Sequence, residues 1–271
     1  MELPKVDFQR LAFALLFPAL ISLGYLFFTG LNFFTPNETL LAFGASSAMP
    51  QNALIYFLVH AWYHHLFFNF AVLLSFGFVA FAALGKKHFL ALSFSSAVIS
   101  ALVAIIIFPR FAFVGASAVA STLLAVAFVT RPKQSLYAIL ASILMISLLL
   151  TPFTTMVFAS HLNELSGQKE SLESDYQAVL QQATIKTGGD VNLAKQLPEV
   201  KAAETRLAGA EKVIEETLQS EQRSREMPVS NFMHAFGALY GFAYVFVFKR
   251  EEIIKGIEFL KKAASKLLDK E

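Results

Sequence analysis

Residues 66–85 read LFFNFAVLLSFGFVAFAALG and residues 89–109 read FLALSFSSAVISALVAIIIFP, with only Lys86, Lys87 and His88 between them. A helix needs roughly 20 apolar residues to cross a hydrocarbon core about 30 Å thick. A charge at its centre costs at least several kcal/mol, so uncharged runs of this length are read as membrane spans and the lysines between them as a loop.

The same reading extends outward in both directions. Between residues 11 and 158 the only acid is Glu38, and the only basic residues are Lys86, Lys87, Arg110, Arg131 and Lys133. Charges used as loop markers give spans near 11–29, 66–85, 89–109, 113–130 and 136–158, and a sixth near 231–248. Of 271 residues 56% are hydrophobic and 15% charged, and the mean hydropathy is +0.56. Such a composition excludes a disordered chain and points away from a water-soluble domain. A net charge of +2 without a long single-sign block gives no footprint for nucleic acid. The absence of cysteine removes disulfides, thiolate metal sites and a cysteine nucleophile together. The first span is read as retained, because the mixed-charge start Met1–Arg10 and the lack of a small-x-small cleavage site do not fit a signal peptide.

Lys and Arg counted over the termini and short loops place thirteen on one side and one on the other. By the positive-inside rule both termini are cytoplasmic, in a plasma or inner membrane if the source is bacterial. Spans two, four and six then all start on the outer side. Span two is preceded by and opens with His60, Trp62, Tyr63, His64, His65 and Asn69, span four with Gly115 and Ser117, and span six with Asn231 and His234. Polar residues in a membrane bundle face its interior, so these three groups are expected to share one cavity.

From Gly115 to Arg131 is about 24 Å of helix, shorter than the hydrocarbon core, so Ser117 is expected below the outer surface. A serine at a helix N-terminus has free N–H groups and the positive dipole end beside it, both suited to a developing oxyanion. A lone serine in such a helix is more often a packing or interhelical hydrogen-bonding residue. As a nucleophile it needs a base, and His60, His64, His65 and His234 are the candidates in the outer half, with His88 and His161 placed in loops.

Together these residues resemble the rhomboid intramembrane serine proteases. The family's HxxxxHxxxN is matched by His60, His65 and Asn69, its GxS by Gly115 and Ser117, and its HxxGxxxG by His234, Gly237 and Gly241. The resemblance implies an all-α, six-span rhomboid-like bundle. It also implies a catalytic dyad of Ser117 as nucleophile and His234 as general base, with an oxyanion site from His65, Asn69 and the Ser117 N–H. His60 is structural in this reading, ordering the first external loop, and Gly237 and Gly241 bring span six close to span four. No cofactor and no metal is implied. The expected substrates are transmembrane proteins cut near the outer membrane face. The chain departs from the pattern at Ala118, where the family usually has Gly, a methyl expected where helices four and six touch. The first loop also lacks the Trp-Arg pair of some bacterial members.

Two other readings stay open. His60 and His64 lie one turn apart, as zinc ligands do, although no HExxH and no nearby carboxylate completes a site. The chain could also be a catalytically weak or inactive rhomboid-like protein that binds transmembrane clients.

Residues 160–230 shift in composition to twelve acids and eight bases. Apolar residues at Leu165, Leu172, Tyr176 and Val179, then at Leu207, Ala210, Ile214 and Leu218, predict two helices. Thr187–Asp190 forms the turn between them and Leu197-Pro198 a break before the second. The expectation is an extracytoplasmic helical hairpin between helices five and six, a candidate site for substrate recruitment or homo-oligomer formation. After Arg250, Ile253, Ile257, Leu260, Ala264 and Leu267 share a face and predict an amphipathic helix on the cytoplasmic bilayer surface. The organisation is therefore 1–159 for spans one to five, 160–230 for the insert, 231–249 for span six and 250–271 for the tail.

Overall fold

The computed structural model describes residues 8–29, 35–224 and 228–268. Lys5 and the rest of residues 1–7, part of the first loop and Arg225 lie outside them. The side chain of Leu267 is likewise outside the description. Among the described residues the structure is helical throughout, apart from loops and one isolated antiparallel bridge between Ala45 and Phe113. The chain forms two compact units, residues 1–152 with 228–271, and residues 153–227.

The first unit holds α1 (Phe8–Thr29), α2 (Asn37–Phe43), two short 3-10 turns (Pro50–Leu54 and Tyr56–Leu58) and α3 (Tyr63–Ile107). These are followed by α4 (Ser117–Thr130) and α5 (Pro132–Leu144), and a π-helical turn (Met145–Leu150) leads on into α6 (Thr151–Lys186). Among the described residues four helical stretches are long and apolar enough to cross a membrane: Leu11–Thr29, Tyr63–Ile107, Pro132–Lys186 and Asn231–Phe248. With several helices long and apolar enough to cross a membrane and no strand among the described residues, the fold is an all-α bundle.

α3 contains the apolar runs on both sides of Lys86 and Lys87. It is broken at Gly85, whose φ of 71° and ψ of 169° are non-helical. Nothing lies within 4 Å of where a Cβ would stand, so glycine is needed there for its backbone conformation and not for space. Either arm, 63–84 or 86–107, is 22 residues and thus about 33 Å long.

α4 is the centre of the unit. Small side chains (Ala118, Ala120, Ala127) let α3 and α9 approach it from several sides, and Val119, Leu123 and Val126 fill the space between. It begins four residues later than the expected span at 113. Residues 113–116 cannot be helical: Phe113 exchanges both backbone hydrogen bonds with Ala45 at 2.9 Å, and Gly115 has φ 98°. Two further placements differ from expectation. His88 is helical, in the second arm of α3, and bonds through Nδ1 to the Tyr244 hydroxyl at 3.1 Å. His161 is inside α6, because the helix runs through the expected boundary at 159 without a break.

The unit closes with α9 (Pro228–Phe248) and α10 (Arg250–Leu268). α10 packs on α4 and α5, and it buries Glu252, Ile253 and Gly256. Of the apolar face expected on this helix only Ile253 is inside; Ile257, Leu260 and Ala264 are exposed. Docking against α4 turned the helix about a stripe centred on Gly256.

In the second unit α6 continues to Lys186, a turn through positive-φ Gly188 and Gly189 follows, and Asp190 caps α7 (Val191–Ala194) by accepting from the N–H groups of Asn192 and Leu193. α8 (Pro198–Ser224) starts with proline at its first position, where the missing N–H costs nothing. Ala183, Ala194 and Val200 form a small core with Tyr176, Val179, Leu180 and Leu197. Lys169–Glu211 at 3.0 Å and Lys186–Glu199 at 3.3 Å link α6 to α8. Along α8 the inward positions step Ala203, Leu207, Ala210, Ile214 and Thr217, so Thr217 and not Leu218 is buried, as a strict 4-3 alternation requires.

Candidate functional site

Ser117 is the first residue of α4 and is buried. The chain reaches it through a tight turn: the Gly115 N–H donates to the Tyr56 carbonyl at 3.1 Å, and Gly115 takes φ 98°. An imidazole occupies the space a side chain would fill. A Cβ on Gly115 would collide with the His65 ring, with Nε2 at 2.9 Å. His65 and the turn that presents Ser117 are therefore in direct contact.

His60 lies on the other side of the same turn and is completely buried. Its Nε2 accepts the Ala116 backbone N–H at 3.3 Å and pairs with Asn69 Nδ2 at 3.1 Å. A backbone N–H can only donate, so Nε2 carries the lone pair and the neutral ring holds its proton on Nδ1. The His60 and His65 rings meet edge to face at 5.1 Å. The His60 carbonyl accepts the Thr35 hydroxyl at 2.5 Å, and the Ala61 carbonyl accepts the Thr35 N–H at 3.1 Å. Thr35 thus ties the loop before α3 through both of these carbonyls. His64 stacks on Tyr63 at 4.2 Å. Among the described residues no three His, Asp or Glu side chains gather as metal ligands, and His60 Nε2 is already occupied by two donors.

α9 meets α4 in parallel. A Cβ on Gly237 would run into the carbonyl of Ala118, and one on Gly241 would stand 2.6 Å from the carbonyl of Thr122. Between these two levels the Thr122 hydroxyl lies 2.8 Å from the carbonyls of both Ala118 and Gly237, so one hydroxyl links the two helices. The atoms of Ala118 nearest to Gly237 are its carbonyl O, carbonyl C and Cα; the close contact is with the Ala118 backbone, where its methyl was expected to intrude. His234, Gly237 and Gly241 share one face at i, i+3 and i+7. His234 is about 4.5 Å along the axis above Gly237, which brings it level with the Gly115–Ser117 turn. It is exposed, and close enough to His65 for their charges to interact.

The sequence reading passed over Tyr56, Thr35 and Thr122. Thr122 is one turn beyond Ala118, on the face of α4 that the Gly237 and Gly241 spacing addresses, a legible signal. The backbone carbonyl of Tyr56 leaves none.

Residues 48–167 match the family model of the Rhomboid domain. This stretch, 120 of the 271 residues, is similar to a rhomboid domain. No curated protein and no solved structure matches the chain. The match supports kinship with the rhomboid family, which holds intramembrane proteases and inactive homologues, and together with the long apolar helices it points to a multi-pass integral membrane protein. The matched stretch contains His60, His65, Asn69, Gly115 and Ser117. It ends inside α6, so α9 with His234, Gly237 and Gly241 lies outside it and joins the matched helices by packing on α4, with Tyr240 on Ser95 and Tyr244 on His88 as further links to α3.

Proposed function

We propose that this chain is an intramembrane serine endopeptidase that uses Ser117 as nucleophile and His234 as general base. The observation that supports it is the parallel seat of α9 on α4, in which Gly237 on Ala118 brings His234 level with the turn that presents Ser117.

In this reading His234 takes the proton of Ser117 Oγ as the oxygen attacks the scissile carbonyl. The tetrahedral oxyanion forms at the N-terminus of α4, where the Ser117 N–H has no partner inside the helix. His65 and Asn69 are the further donors. The Asn69 amide has two hydrogens; His60 takes one and the other serves the oxyanion. His234 then protonates the leaving amine, and water hydrolyses the acyl-enzyme. Substrates are transmembrane helices weakened near the cut by Gly, Pro or small residues, since a helical carbonyl bonded within its own helix resists attack. The reading includes six spans, both termini on the cytoplasmic side and the 160–230 insert outside.

Labelling by a fluorophosphonate probe in lipid tests the dyad. Wild type is expected to label, and Ser117→Ala and His234→Ala, folded, are expected not to. Unlabelled wild type beside a labelled active relative would overturn the reading and favour a client-binding role.

A further inference from the structure

α10 starts two residues after α9 ends, and its first turn is fastened to the far end of the helix that carries Ser117. Glu252 is the fastening point, 8% exposed. Arg131, the residue that caps the C-terminus of α4, brings Nη2 within 3.0 Å of Glu252 Oε2. Lys255, one turn along α10, holds Oε1 at 2.6 Å. On the same side of α10, Gly256 is pressed against α4 so closely that a Cβ would meet the Val129 carbonyl. α4 is therefore gripped at three levels, Ala118 by Gly237, Thr122 by Gly241 and Val129 by Gly256.

These contacts do different physical work. Glycine against backbone sets how near two helices come but does little to fix their tilt; the Thr122 hydroxyl on the Gly237 carbonyl and the Tyr240 and Tyr244 hydroxyls on Ser95 and His88 restrain α9 partway along its length. The Arg131–Glu252 contact is an ion pair in which Oε2 takes no hydrogen bond; its attraction at the buried end of the helix weakens as the two groups separate, and so restrains the tilt at that end. From His234 to Phe248 the lever is about 21 Å. A tilt of about 5° at the Glu252 end moves the His234 end by about 2 Å, enough to break a hydrogen bond that must be roughly 2.6–3.2 Å long.

We propose that α10 is a latch and Glu252 a positioning residue: its bridge to Arg131 and Lys255 sets the tilt and depth of α9 on α4, and so the placement of His234 relative to Ser117, from the opposite end of the bundle. The proposal rests on the dyad reading for its functional consequence and on geometry alone for the latch.

The chain has no cysteine, so spin labels can be placed at will. Ile106 on α3 and Leu239 on α9 are 78% and 65% exposed. With both labelled in the full-length protein in nanodiscs, Glu252→Gln is expected to broaden or shift the 106–239 distance distribution. In the unlabelled protein it is expected to slow fluorophosphonate labelling at least tenfold, with helix content unchanged. In a Lys255→Gln background, exchanging the charges (Arg131→Glu with Glu252→Arg) should restore both readouts, which general loss of stability would not do. Unchanged distances and labelling rate in folded Glu252→Gln would overturn the latch, as would a charge exchange that restores neither. Should Glu252→Gln fail to fold, Arg131→Gln supplies the same comparison with the buried carboxylate still held by Lys255. If distances respond but wild type never labels, the latch stands and the dyad reading fails.

Discussion

His60 Nε2 receives the backbone N–H of Ala116, the residue immediately before Ser117, at 3.3 Å. The same nitrogen holds Asn69 at 3.1 Å, so one buried ring orients both the turn that presents the serine and an amide beside it. Replacing it leaves two buried donors unpaired, at about 1–3 kcal/mol each. His60→Ala is expected to lower kcat on a cleaved substrate by at least tenfold, with a smaller change in KM, and to lower Tm. Wild-type kinetics in a folded His60→Ala would show that neither donor needs the ring.

Gly115→Ala tests the contact between the turn and His65. A side chain at φ 98° is strained, and its Cβ would occupy the imidazole's place. The expected result is loss of fluorophosphonate labelling by more than tenfold with helical circular dichroism retained. Labelling at the wild-type rate would remove His65 from the constraints on this turn.

Gly237→Ala and Ala118→Gly should differ sharply, although both exchange one methyl at the same contact. A methyl at 237 meets the Ala118 backbone, which cannot yield cheaply; overpacking of this kind costs about 1–3 kcal/mol. Ala118→Gly is expected to change stability by no more than about 1 kcal/mol, the helix-propensity difference. Thermal unfolding in one detergent checks the order, and equal losses would mean that α9 does not rest on the Ala118 backbone.

The second unit carries a pH dependence of known sign. The Glu199 carboxylate is held below its usual value of 4.5, first by the N–H of its own residue near the start of α8 and then by Lys186. A folded value below the unfolded one contributes stability above pH 4.5 that is lost as pH falls through that range. Glu199 is fully exposed, so solvent screens the effect. Glu199→Gln is expected to flatten slightly the acid limb of unfolding between pH 5 and pH 3 relative to pH 7, followed by circular dichroism as pH is lowered. A limb that steepens would reverse the sign.

Much of the fold is legible along the chain because bilayer solvation acts locally. Each uncharged run answers to the cost of placing its own residues in hydrocarbon, so Lys86, Lys87, Arg131 and Lys133 mark the ends of apolar helices wherever the neighbours go. The same holds for the change in composition after residue 160, and for the turn at Gly188 and Gly189, where the residue type sets the backbone. The spacing of His60, His65 and Asn69 is legible for a similar reason, since one short stretch carries all three.

Other features depend on atoms that are distant in sequence. α4 starts at Ser117 because Phe113 pairs with Ala45 and Gly115 bonds to Tyr56. α10 buries Glu252 and Gly256 instead of its most apolar stripe because Arg131 and the end of α4 are there to receive them. Local hydrophobicity is a property of a segment, and the amino acids spell it out. Which carbonyl meets which glycine, and which lone pair meets which N–H, depends on ångström-scale approach between helices, and that exists only once the bundle has packed.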